Sequence, residues 1–293
     1  MGTDLVDQSG SKMQLYGMST HGIAWFPDYI NYDTFRFLRD DWGANCIRLA
    51  MYSGENSGYC TGGDKQWLKG LVNNGVEYAT ELGMYVIIDW HVLGDRTPMT
   101  YKEEAKKFFD EMSSRYADYP NVIYEICNEP NGGTSWSEIA AYANEVIPII
   151  RANSPDSIVI VGTPTWSQEV DKPAANPLQF DNVMYALHFY ADTHRDGLRN
   201  TMVNAIRSGA PIFITEFGMC DASGNGAVNE SEANKWKSLI DEHNISYMCW
   251  NLANKGESSS IIRSGCSKLS GWTDDDLSTQ GRIIRSWRRN ADY

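Results

Sequence analysis

Eight short runs rich in β-branched and aromatic residues recur along the 293-residue chain, and most are followed by a segment with helical periodicity. They occupy 14–19 (QLYGMS), 45–51 (NCIRLAM), 84–90 (MYVIIDW), 122–128 (VIYEICN), 158–163 (IVIVGT), 183–190 (VMYALHFY), 211–217 (PIFITEF) and 246–251 (SYMCWN). Nearly continuous apolar strands alternating with helices specify a parallel sheet covered by helices. Two architectures satisfy that pattern, the doubly wound sheet and the closed barrel. A doubly wound dinucleotide fold carries G-x-G-x-x-G after its first strand, whereas GMSTHGIAWF follows Tyr16 here. Eight units in about 250 residues match the α/β class of (β/α)8 TIM barrels. Residues 1–293 are expected to form one such domain, with no linker, internal repeat or appended module.

Two helices are legible in detail. Tyr101, Ala105, Phe108, Phe109, Met112 and Tyr116 recur at helical spacing, and Thr100 with Glu103 offers a capping box at the start. Ser135 with Glu138 offers a second box ahead of Trp136, Ile139, Ala143, Ile147 and Ile150, and Pro148 is expected to bend or end that helix. Trp42, Trp67, Trp136, Trp236 and Trp287 fall in helical patterns and read as packing residues, while Trp90 and Trp272 are open. The six cysteines lack any C-x-x-C pair, so they suggest neither a zinc site nor a redox motif. Four of them lie in or just after apolar runs and read as buried thiols.

Composition narrows the partners. Against 25 basic residues stand 38 acidic ones, a net charge of −13 that repels phosphate backbones and anionic lipid. Nucleic acid and membrane surfaces are therefore not expected as partners, and no apolar run approaches the roughly 18 residues of a membrane span. A neutral polymer meets no such repulsion, and ten Trp, sixteen Tyr and nine Phe supply flat apolar faces suited to sugars. The opening MGTDLVDQSG has no basic segment followed by an apolar one, so any export signal is absent from this sequence or already removed.

In a barrel of this kind, chemistry comes from the C-terminal ends of the strands and the loops after them. Reading the runs in order yields His21, then Arg48 and Tyr52, His91, Asn128 with Glu129, Trp166, His188 and Tyr190, Glu216, and Trp250, with Lys255 and Glu257 just beyond. Any one of these could be an ordinary polar strand end. Together they are not: three of five histidines gather at one rim, and two glutamates end apolar strands where a carboxylate is costly without partners. Glu129 and Glu216, from the fourth and seventh strands, can face each other across a ligand. Opposed carboxylates are the equipment of glycoside hydrolysis. Glu125, four residues before Glu129, competes for the acid role but is read as a structural ion-pair partner about 13 Å deeper, at about 3.3 Å per residue.

The motifs YEICNEP (124–130) and ITEFG (214–218) resemble the two signatures of glycoside hydrolase family 5. GMSTHGIAWF, IRLAMY (47–52), IIDWH (87–91), ALHFYA (186–191) and WNLANKGESSS (250–260) extend the resemblance over nearly the whole chain, towards bacterial endo-β-1,4-glucanases. The resemblance implies Glu129 as acid/base and Glu216 as nucleophile of a retaining double displacement. It implies supporting roles for Arg48 and Tyr190 beside Glu216, for Asn128 at the sugar 2-hydroxyl, and for His91 and His188 at the cleaved sugar. Trp250 is implied as the floor, with His21, Trp25, Tyr52, Trp166, Lys255 and Glu257 binding neighbouring units. Neither cofactor nor metal is implied. The expected partner is a β-1,4-linked glucan, acted on by a secreted monomer. The 54–63 loop departs from the family pattern, which leaves Tyr52 less well placed.

Other readings carry less. Mannan, xyloglucan or mixed-linkage glucan would use the same chemistry; Lys255 and Glu257 favour glucan by resemblance. A non-catalytic sugar-binding barrel would lack one carboxylate. A metal hydrolase built on His21, His91 and His188 would carry H-x-H on its first strand, which is missing. The pH profile is expected to be bell-shaped on the mildly acidic side.

Overall fold

A computed structural model describes residues 2–289. The apolar runs form eight parallel strands: β1 (Tyr16–Thr20), β2 (Cys46–Tyr52), β3 (Tyr85–His91), β4 (Val122–Glu125), β5 (Val159–Val161), β6 (Val183–Tyr190), β7 (Ile212–Gly218) and β8 (Tyr247–Leu252). Each pairs with the next, and β8 closes on β1 to complete the barrel. Around it lie α1 (Tyr32–Trp42), α2 (Lys65–Glu81), α3 (Lys102–Arg115), α4 (Trp136–Asn153), the short α5 (Pro164–Ser167) and α6 (Asp171–Ala175), then α7 (Asp196–Arg207), α8 (Glu230–Glu242) and α9 (Thr279–Arg289).

Alternation along each strand divides the side chains between two cores. Ile47, Leu49 and Met51 of β2, with Val86, Ile88 and Trp90 of β3, pack outward against Phe35, Leu38, Val72, Phe108 and Phe109 of the helices. Their neighbours Cys46, Ile87, Ile123, Ile160, Met184, Phe213 and Met248 point inward and form a separate apolar cluster, joined by Leu5 and Leu15 from the segment before β1. That cluster is the floor of the barrel. Above it the inward positions become polar, so the fold itself raises the functional side chains to one rim.

Local signals fared unevenly. The Ser135–Glu138 box forms, with Ser135 Oγ accepting from the Glu138 amide and the Glu138 carboxylate accepting from the Ser135 amide. The Thr100–Glu103 box does not: α3 starts at Lys102 after an uncapped Tyr101, and Thr100 Oγ1 instead donates to Asp95 O at 3.0 Å. Pro148 fails to end α4, which continues to Asn153, because packing of Ile147 and Ile150 in the core outweighs one lost hydrogen bond. Trp67 is a second departure, 45% exposed on α2. Trp90 and Trp272 are buried, as are Cys46, Cys127, Cys220 and Cys249; all six cysteines are free thiols. No helix among the described residues is long and apolar enough to cross a membrane.

Candidate active site

Above the apolar floor the barrel holds a layer of charge centred on Arg48, which is fully buried. Its Nε donates to Glu125 Oε2 (2.7 Å), and its Nη2 donates to Asn128 Oδ1 (2.6 Å) and lies 3.0 Å from Asp89 Oδ2. Through Nη1 it reaches Ser19 Oγ (3.1 Å) and Glu216 Oε2 (3.3 Å). Burial opposes the guanidinium charge, but Asp89, Glu125 and Glu216 together hold it. Removing the cation strands all three carboxylates. Arg48→Met is expected to cost about 3–5 kcal/mol of stability, and less at acid pH, where the carboxylates take up protons; urea midpoints across a pH series read both effects.

Glu125 is the ion-pair partner its position suggested, but the depth expected of it is wrong. β4 stops at Glu125, and one imidazole spans the gap between its carboxylate and that of Glu129. His188 Nε2 lies 3.9 Å from Glu125 Oε1, while His188 Nδ1 lies 2.8 Å from Glu129 Oε1.

Glu216 reaches the site by a different irregularity. Strict alternation places Phe213 and Thr215 of β7 inside and would send Glu216 out to the helices. Register shifts between Ala186 and His188 on the β6 side, and between Ile214 and Phe217 on the β8 side, break that alternation. Two successive side chains then point inward, since Thr215 Oγ1 meets Glu125 Oε1 at 2.7 Å and Glu216 meets Arg48. Glu216 Oε1 also accepts the Tyr190 hydroxyl at 2.8 Å. A Cβ at Gly218 would lie 2.6 Å from the Tyr190 ring, so glycine is needed there for Tyr190 to take this position.

An oxygen of Glu129, an oxygen of Glu216 and a nitrogen of His188 lie within 4.8 Å of one another. Among the described residues this is the group of ligand-type side chains close enough to share a cation. Burial pushes Glu129 up to about 8, with Arg48 opposing the shift and Asp89 and Glu125 adding to it. Burial pushes Glu216 up to about 7, with the neighbouring Glu129 adding to the shift and Arg48 and the Tyr190 hydroxyl holding it down. Burial also lowers His188 to about 4 and keeps Tyr52 and Tyr190 protonated.

Over the two carboxylates opens a cavity of about 670 Å³, a size suited to a small ligand or a few units of a polymer. Trp250 and His91 stack at its base with ring centroids 5.4 Å apart, and Tyr52 packs against His91 at 4.0 Å. Trp25, after β1, donates through Nε1 to Asn56 O (3.1 Å) and leaves 36% of its surface exposed. Across the barrel, after β5, Trp166 is 45% exposed. It stands on a turn where Thr165, Trp166 and Ser167 all have φ between +54° and +56°, left-handed backbone that costs energy at each residue. Trp166 N donates to Pro130 O (3.0 Å) and Ser167 Oγ donates to Asn128 O (2.6 Å), so the turn is tied to the segment carrying Glu129. At the near end Lys255 Nζ lies 2.7 Å from Glu257 Oε2 and 3.3 Å from His21 Nε2.

A model of the cellulase family, glycosyl hydrolase family 5, matches residues 6–256. The chain belongs to glycosyl hydrolase family 5. It is similar to an endoglucanase of Clostridium saccharobutylicum, 50% identical over 97% of this chain and 63% of that protein. It is also similar to endoglucanase A of Butyrivibrio fibrisolvens, 50% identical over 94% of this chain and 65% of that one. The chain thus spans less than two thirds of the length of these curated relatives. Among solved structures, the catalytic domain of a Thermobifida fusca endoglucanase in complex with cellotetraose superposes with a TM-score of 0.93 at 39% identity, covering 98% of this chain and 95% of that one.

In this family 5 barrel every sequence-named site residue lines the cavity except Arg48 and Asn128, which are fully buried behind it. Asn128 donates to His91 Nε2 and Val92 O, both at 3.1 Å, while its carbonyl accepts from Arg48. The sugar contact expected of it would fall to the second lone pair of that carbonyl, since both N–H donors are taken. The histidines weighed for a metal site have protein partners: His91 Nδ1 lies 2.6 Å from Asp89, and His188 uses both nitrogens on Glu129 and Thr215. Sequence reading missed Asp89, although alternation in IIDWH puts it on the same face as His91. It also missed Glu55, Gln168, His194 and Ser223, cavity residues from loops that carry no periodic signal.

Proposed function

We propose that this chain is the catalytic domain of a retaining endo-β-1,4-glucanase. The observation that carries the reading is the pair Glu129 and Glu216, with oxygens within 4.8 Å, at the base of a cavity flanked by exposed Trp25 and Trp166. Oxygens that close favour the roughly 5–5.5 Å carboxyl separation of retaining enzymes over the roughly 6.5–9.5 Å that inverting ones need to seat a water. In the first step Glu216 attacks the anomeric carbon while Glu129 protonates the departing oxygen. In the second, the Glu129 carboxylate takes a proton from water, which displaces Glu216 and restores the original anomer.

The tryptophans support polymer cleavage within the chain. They stand four strands apart on opposite sides of the rim, so a glycan can cross the cleft and leave at both ends, with a flat face for a pyranose on each side of the scissile bond. The cellotetraose held by the T. fusca relative supports glucose as the unit. An insoluble polymer cannot enter a cell, so the domain acts outside it.

One assay series tests this reading. Carboxymethyl cellulose, mannan, xyloglucan and mixed-linkage glucan are hydrolysed side by side, with fragment length, product anomer and pH dependence recorded. β-Glucans cut internally, with retention, are the expected result; faster mannan cleavage or inverted product overturns it. Activity should rise with pH as Glu216 ionises and fall as Glu129 loses its proton. Burial has raised both groups, to about 7 and about 8, so the bell is expected near neutrality, above the mildly acidic range that free carboxyls suggest.

A further inference from the structure

We infer that Thr215, anchored by Glu125, is a positioning residue that holds His188 in the tautomer whose Nδ1 lone pair accepts the proton of Glu129. The inference rests on the acid/base role proposed for Glu129. Neither Thr215 nor Glu125 lines the cavity, and both are fully buried.

Counting protons along the chain of contacts leads to this assignment. Arg48 has donors only, and it gives Nε–H to Glu125 Oε2 (2.7 Å) and Nη2–H to Glu125 Oε1 (3.2 Å); burial raises Glu125, but this bidentate pair with a buried cation favours its ionised form, which can only accept. Glu125 Oε1 takes the Thr215 hydroxyl proton at 2.7 Å. A hydroxyl has one proton, so Thr215 Oγ1 can only accept from His188 Nε2, 2.8 Å away. The ring proton is then on Nε2. In a neutral ring Nδ1 is a lone pair, and its 2.8 Å contact with Glu129 Oε1 requires the proton to be on Glu129. Burial, which lowers His188 to about 4, keeps the ring neutral.

His91 is polarised the other way by the same arginine. Arg48 Nη2 donates to Asn128 Oδ1 (2.6 Å), which turns the Asn128 NH₂ towards His91 Nε2 (3.1 Å) and leaves the ring proton on Nδ1 for Asp89 (2.6 Å). The two histidines therefore occupy opposite tautomers, each selected by Arg48.

A lone pair opposite Glu129 disfavours its carboxylate. The proton stays until the leaving oxygen takes it, and the carboxylate left behind is a stronger base towards the incoming water, from which the proton is regained. His188 keeps one proton throughout. Other charged and titratable groups facing Glu129 are Glu216 from β7, Arg48 and Tyr52 from β2, Asp89 from β3, Tyr190 from β6 and Glu125 at the end of β4; His91 faces His188. Neither Thr215→Val nor Thr215→Ser replaces any of these groups.

Nitrogen-15 shifts of the imidazoles, with His188 identified by its loss in His188→Asn, report the tautomer directly in the unaltered protein. A protonated Nε2 and an unprotonated Nδ1 are expected; a proton on Nδ1 overturns the inference. Thr215→Val keeps the shape but removes the acceptor, which frees the ring to turn its proton towards Glu129. The alkaline limb of kcat/KM on cello-oligosaccharides should then move about one unit towards acid, and Thr215→Ser should restore it. Release of 2,4-dinitrophenol from its β-cellobioside, which needs no acid, should keep its burst rate. Equal loss on both substrates with the limb unmoved also overturns it. If Glu129 is not the acid, Glu129→Ala will slow both substrates alike whatever tautomer His188 shows, so the two failures are separable.

Discussion

Glu216→Gln is expected to abolish hydrolysis of every substrate the protein accepts, with kcat falling on the order of 10⁴-fold or more. The substitution keeps volume and leaves an amide oxygen for the Tyr190 hydroxyl, now 2.8 Å from Glu216 Oε1, so the fold should persist. What it removes is the group proposed to form the covalent intermediate. No improvement of the leaving group can compensate, because both a cellulosic chain and an activated aryl glycoside need the same attack on the anomeric carbon. Steady-state rates on the two kinds of substrate, with binding of a cello-oligosaccharide measured separately, check this: binding should survive and turnover should not. Normal cleavage by the variant would remove Glu216 from the mechanism.

Glu129→Ala is expected to behave differently on different leaving groups. On cellulosic substrates, where a sugar hydroxyl must be protonated as it departs, the loss should be about 10²–10⁴-fold. On an aryl cellobioside whose phenolate leaves unaided, the first step should persist, giving a burst of phenolate followed by slow turnover, because no base remains to activate water. Azide needs no base. Added azide should therefore restore steady turnover and yield a β-cellobiosyl azide, whose retained configuration also identifies the intermediate as covalently attached through the opposite face. Uniform slowing of both substrates, or no rescue, would show that Glu129 only binds sugar. The alkaline limb should vanish with the carboxyl that causes it.

Much of this site was legible in one dimension. Glu129 and Glu216 end apolar runs, and a carboxylate placed there without purpose is expensive, so their presence pointed to chemistry before any coordinates. His21, His91, Trp250 and Lys255 lie just where the rim rule for barrels puts functional groups, and they do line one cavity. Asp89 was hidden inside an apolar word, IIDWH, although the period of two assigned it to the same face as His91. Glu55 and His194 were out of reach, because loop conformation depends on contacts made after the barrel closes. The box at Thr100 shows the limit of short motifs: its residues are present, but Thr100 is taken by Asp95 O instead.

The order of strand and helix, the apolar character of each strand and the two carboxylates are local properties of the chain, set by hydrophobic periodicity, and the sequence alone determined them. Which way Glu216 points was not local. A period of two aims it at the helices, and only the register shifts beside β6 and β8 turn it into the cavity next to Thr215. The upward shift of Glu129 and Glu216 was not local either, because it follows from burial, opposed by one arginine shared among Asp89, Glu125 and Glu216, residues that meet only when the barrel closes.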